Sequence, residues 1–147
     1  MKKIISLAML SLSLLVIAFA VVPAHAAERC DNCKMKVADD SGYQVQVKFK
    51  DGTSKLECSI FCASMEKERA PGKVESLVVR DFLTGETLDA IDAVWVAGSD
   101  AKKMMSDESR IAFKDRAEAE KYISEHGGRV LTFDEAYKET VDEWRGL

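Results

Sequence analysis

The sequence predicts a small single α+β domain of two similar strand-helix lobes, preceded by a signal peptide. Strand-like and helix-like segments alternate without a regular length, which disfavours a wound parallel sheet. An apolar N-terminal run ends in a small-x-small pattern of the kind signal peptidase cuts. The remainder, residues 27–147, suffices for one domain with its own core.

The elements follow in order. Lys2 and Lys3 precede the apolar run Ile4 to Val22, and Pro23-Ala24-His25-Ala26 closes it, so residues 1–26 read as a signal cleaved near Ala26. The alternative is a retained anchor, because about 19 apolar residues just span a bilayer. Tyr43 to Phe49 alternates apolar and polar residues, the period of a half-buried strand, and Asp51-Gly52 makes a hairpin turn. Ser59 to Glu68 is rich in helix formers and stops before Pro71-Gly72. Glu75 to Phe82 reads as a strand, Thr84-Gly85-Glu86 as a turn, and Ala93 to Ala97 as a buried strand. A polar loop from Gly98 holds Met104 and Met105, and Arg110 to Phe113 is a short strand. Asp115 opens a helix to His126 with Gly127-Gly128 as its stop, Val130 to Phe133 is a strand, and Asp134 caps a last helix. Trp95 and Trp144 are expected in the core. Residues 43–69 and 75–126 share a coarse strand, turn, strand and helix order, with Pro71-Gly72 between them.

The chemistry concentrates in sulfur. Four cysteines occur as Cys30-x2-Cys33 and Cys58-x3-Cys62, and Met35 follows two residues after Cys33. Two closely spaced thiol pairs suit a thiophilic metal ion. Behind a signal peptide they also suit two disulfides, because an exported chain meets an oxidising environment. The thioether of Met35 binds Cu(I), has little affinity for Zn(II) and forms no disulfide, whereas its plain alternative is a core residue beside Val37. Cys58, Cys62 and Met65 fall at i, i+4 and i+7, on one face of the first helix if it starts close to Cys58. Met104 and Met105 sit in a polar loop without periodic apolar neighbours, which makes either a candidate thioether ligand. His126 marks a helix end better than a ligand.

Composition excludes other classes. Removing residues 1–26 takes away two lysines and moves the formal net charge from −4 to −6. An acidic chain without a Lys/Arg cluster does not suit nucleic acid. No nucleophile-base constellation, phosphate-binding glycine loop or paired catalytic carboxylates stand out, so the chain is not read as an enzyme. A thiol-disulfide oxidoreductase needs its Cys-x2-Cys at a helix start after a core strand, and here the pair precedes the first strand.

With 24 residues between Cys33 and Cys58, the knuckle, hairpin and helix-borne Cys-x3-Cys resemble treble-clef-like heavy-metal modules of the TRASH type. The segments CDNCKMKVAD, VRDFLTGETLDAIDAVWVAGSD, the Met104-Met105 pair and IAFKDRAEAEKYISEHGGRVLTFDEA resemble the NosL family of nitrous-oxide reductase accessory proteins over about residues 30–137. That resemblance implies a periplasmic Cu(I) metallochaperone that delivers copper by ligand exchange to nitrous-oxide reductase or its maturation machinery. It places the family's Cys-x-Met on Cys33 and Met35 and its loop methionine on Met104 or Met105. The expected metal set is Cys30, Cys33, Met35, Cys58, Cys62, Met104 and Met105. Structural Zn(II), or disulfides holding a heavy-metal-binding module together, is the alternative. Members are commonly lipoproteins, but Arg29 precedes Cys30 here and no lipobox exists, so membrane association stays open.

Overall fold

The computed structural model describes residues 28–38 and 41–146. The expected signal peptide lies outside them. Alternation at Val45–Phe49 produces β1, whose Val45, Val47 and Phe49 face inward while Gln46 and Lys48 face solvent. The turn at Asp51-Gly52 returns the chain as β2 (Ser54–Glu57), antiparallel to β1. Ser59 then opens α1 (Ile60–Arg69), and β3 (Val74–Arg80) pairs antiparallel with the other side of β1. A three-residue strand, β4 (Thr87–Asp89), completes a sheet of order β2-β1-β3-β4.

The second sheet is built the same way. β5 (Val94–Ala97) lies between β6 (Arg110–Phe113) and β7 (Arg129–Leu131), all antiparallel, with α2 (Arg116–His126) connecting β6 to β7. Both lobes are thus ββαβ units with the first strand in the centre. The domain is α+β, and α3 (Phe133–Arg145) follows β7 to pack against α1.

Four expectations need correction. The lobe boundary is not at Pro71-Gly72, because β3 carries Leu77 and Val79 into register with Val47 and Val45 and so belongs to the first sheet. β4, three residues long, is too short to show a period and forms where no strand is expected. The last helix is capped by Thr132 rather than Asp134: the Thr132 hydroxyl accepts from the Glu135 N–H, and the Glu135 carboxylate accepts from the Thr132 N–H. Trp95 is buried as expected, but Trp144 is half-buried on α3, donating its indole N–H to the Ser64 hydroxyl of α1 at 3.1 Å.

One apolar core runs between the lobes, joining Val45, Val47, Leu77 and Val79 to Trp95, Ala97, Leu131 and Phe133. A smaller core of Val96, Ile111, Phe113, Ala119 and Tyr122 lies under α2. Asp81 fastens the lobes together. Fully buried, it accepts hydrogen bonds from the Leu83 N–H, the Thr84 N–H and hydroxyl, and the Lys114 N–H of the second lobe. Those donors outweigh its burial and hold its carboxyl below the usual range. The Asp81-x-x-Thr84-Gly85 motif therefore serves architecture. So does His126-Gly127-Gly128, since a Cβ on Gly128 would lie 2.7 Å from the Ala97 carbonyl oxygen. Among the described residues, no helix is long and apolar enough to cross a membrane.

Candidate metal centre

The four thiols meet at one point, delivered by two segments. Residues 29–36 form a knuckle in which Arg29 pairs with Lys36, and the Cys30 N–H donates to the Met35 carbonyl at 2.9 Å. The Lys34 N–H donates to the Cys30 carbonyl, and Lys34 takes a left-handed φ of 63° to close the turn. Asp31 holds the knuckle on the free edge of β2: its N–H donates to the Leu56 carbonyl at 2.8 Å and its carboxylate accepts from the Leu56 N–H at 2.9 Å. Asn32 braces it against α1, reaching the Cys62 carbonyl and Met65 Sδ while accepting from Arg69.

The second segment is the junction between β2 and α1. Cys58 sits before the helix rather than on it, because Ser59 is extended at the N-cap and helical geometry begins at Ile60. Its Sγ nevertheless lies 3.6 Å from that of Cys62 and 3.6 Å from that of Cys33. All four Sγ atoms are within 4.8 Å of one another. A tetrahedral metal with bonds of about 2.3 Å to sulfur has S···S edges of about 3.8 Å, so the cluster has the right scale for one ion. All four are free thiols; Cys30, Cys58 and Cys62 are buried, and Cys33 is partly open to solvent.

The thiols are not equivalent. The hydrogen bond shared with Cys62, joined by one with Cys33, outweighs burial and brings the Cys58 thiol down to about 6. Its place at the N-terminus of α1 suits an anion. The same bond, followed by burial, raises the Cys62 thiol above its usual range. Burial, followed by the hydrogen bond to Glu57, pushes Cys30 up to about 12. Glu57 belongs to no motif in the sequence and joins the site only through the fold. Fully buried at the end of β2, it accepts from Cys30 Sγ at 2.9 Å and from the Asn32 N–H at 3.2 Å, and its second oxygen has no partner. Burial raises its carboxyl above the usual range.

The methionines divide. Met104 reaches across from the second lobe and packs against the cysteines, so the loop and the knuckle share one small cluster. Met35 is 37% exposed and Met105 is 44% exposed, which removes the core alternative for Met35. Met65 is half-buried and faces Asn32. His126 is held by Asp100 at 3.0 Å and stacks on Tyr122, a helix-end role. A cleft of about 380 Å³ lined by Lys36, Val37, Tyr43, Phe82, Lys102 and Met104 reaches Cys58.

The family model for NosL matches residues 21–141, most of the chain. The chain belongs to the NosL family. A solved relative, the copper chaperone NosL from Shewanella denitrificans, superposes with a TM-score of 0.64 at 23% identity, covering 74% of this chain and 88% of that one. At that identity the likeness establishes a shared NosL fold. No curated protein matches the chain.

Proposed function

We propose that this NosL-family chain is an exported Cu(I) metallochaperone, working as residues 27–147 after cleavage near Ala26. The observation that carries the reading is a four-sulfur cluster, all Sγ atoms within 4.8 Å, with Cys33 partly open to solvent and a methionine packed alongside. Soft donors of this kind suit Cu(I). Support also comes from the solved relative, which is a copper chaperone. The copper ligands are drawn from Cys30, Cys33, Cys58 and Cys62, with thioethers from Met35, Met104 and Met105.

The mechanism is ligand exchange. Cu(I) is satisfied by two or three soft ligands, so four thiols and a thioether offer more donors than one ion needs. An ion held by three sulfurs keeps a free neighbour to step to. An acceptor that presents its own sulfur or imidazole at the Cys33 opening adds one further step of the same kind. The chemistry moves a cargo and makes or breaks no covalent bond in a substrate. The acceptor is a reductase under assembly, nitrous-oxide reductase or its maturation machinery.

Zn(II) is the second reading, because the same S···S distances suit a tetrahedral four-thiolate site. Competition against a Cu(I) chelator, with anaerobic reduced protein, decides between them. Tight Cu(I) binding that falls at least about tenfold in Cys33→Ser is expected, with sulfur-only coordination by X-ray absorption. Unchanged affinity in Cys33→Ser, or a zinc ion that resists exchange by Cu(I), overturns the copper reading.

A further inference from the structure

Ser59 occupies the N-cap of α1 but does not cap it. Its side chain makes no bond to the helix N–H groups. Instead the buried hydroxyl donates to the Met104 carbonyl at 3.0 Å, across the gap between lobes. The loop carrying Met104 is held at two more points. The Lys102 N–H donates to the Tyr43 hydroxyl at 2.9 Å, ahead of β1. Near the end of α3, the Glu143 carboxylate accepts from the Ser106 hydroxyl and the Asp107 N–H while pairing with Arg110 at 2.6 Å.

These three attachments come from three separate elements, and they surround a backbone that does not hold its own shape. Met105 sits at φ 61°, a left-handed conformation that a methionine does not adopt without outside support. The result of that support is the placement of Met104 on the cysteines. Cys58 and Ser59 are consecutive, so the thiol nearest the cleft and the hydroxyl holding the loop move together.

We propose that Ser59 is a positioning residue for metal release: by holding the Met104 loop on the cluster, it sets how fast a bound soft metal ion leaves. The inference rests on the copper reading above. Met104 packs against the cluster from the second lobe, a further soft donor that holds the ion until an acceptor's ligand at the Cys33 opening takes it. Loosening the loop weakens that hold without removing a thiol.

The test is stopped-flow transfer of Cu(I) from the loaded protein to bathocuproine disulfonate, alongside equilibrium affinity and thermal melting. Loss of one net hydrogen bond of this kind corresponds to roughly a two- to tenfold change. Ser59→Ala is expected to speed transfer by that factor while lowering the melting temperature by no more than a few degrees, and Ser59→Thr, which keeps the hydroxyl, to restore the parent rate. Met104→Leu should speed transfer as much, and the double variant no further. Transfer at the parent rate in Ser59→Ala, no rescue by threonine, or fully additive effects in the double variant overturns the proposal. If Ser59→Ala does not fold, Glu143→Gln releases the same loop from α3 and must speed transfer in its place. A parent protein that fails to bind Cu(I) through its cysteines would instead sink the copper reading itself.

Discussion

The two lobes share a strand order, β2-β1-β3 against β6-β5-β7, and differ most where the second strand hands over to the helix. In the second lobe that junction is ordinary: Asp115 caps α2, its carboxylate accepting from the Glu118 N–H at 2.9 Å. In the first lobe the same place carries Cys58 and Ser59, and α1 has no side-chain cap at all. A thiol of lowered pKa stands near the helix end, and the hydroxyl that would cap the helix is turned to another lobe. One lobe uses the position for stability, and the other gives up stability there to build a site.

The sharpest separation of the lobes comes from the second core. Phe113 is fully buried among Val96, Ile111 and Tyr122, so Phe113→Ala is expected to cost about 3–5 kcal/mol in chemical denaturation. Its metal stoichiometry should stay that of the parent, since no cysteine lies in that core; a changed stoichiometry would mean the lobes are not separable in this way. A smaller contrast lies at the junctions. Asp115→Ala should lower stability by about 1 kcal/mol and speed hydrogen exchange at the Glu118 N–H, whereas Ser59→Ala, which loses the bond to the Met104 carbonyl and no cap bond, should leave exchange in the first turn of α1 unchanged. Equal loss of first-turn protection in the two helices would erase the distinction.

The sequence made the sulfur set legible but not its arrangement. Cys-x2-Cys and Cys-x3-Cys are visible as pairs, and β1 and α2 follow from alternation and from Asp115 with Gly127. The site's supports were not visible, because each is an ordinary residue until folding gives it a neighbour. Glu57 reads as the polar end of a strand, and only the approach of the knuckle 27 residues earlier turns it into the partner of Cys30. Ser59 reads as the first residue of a helical segment, and its hydrogen-bond partner is 45 residues away. The pairing of β3 with β1 is hidden in the sequence because Pro71-Gly72 resembles a boundary and is only the turn out of α1. The capping box at Thr132 and Glu135, by contrast, is legible in the sequence as Thr-x-x-Glu, with Asp134 as a competing cap between them.

The smallest expected effect concerns acid. Burial opposes ionisation of Glu143, but hydrogen bonds from Ser106 and Arg110 outweigh it and place its carboxyl below the ordinary value of 4.5. A depressed carboxyl contributes stability above its unfolded value and loses it as pH falls through the folded one. The α3 attachment of the Met104 loop should therefore be intact at neutral pH and weaken below about pH 4.5, seen as faster hydrogen exchange at the Asp107 N–H. Partly exposed pairs contribute little, so the change should be confined to the loop. Loss of protection already near neutral pH would count against this attachment.

The knuckle's place on the edge of β2 has one more result. Residues 34–57 separate its last cysteine from Cys58, and an ion bound by both pairs ties off that stretch as a closed ring. Closing a ring of this size removes freedom from the unfolded chain worth about 3 kcal/mol in a chain-entropy picture. Cargo and cohesion then draw on the same free energy, and handing over the ion leaves behind a chain that is easier to unravel from its N-terminal end.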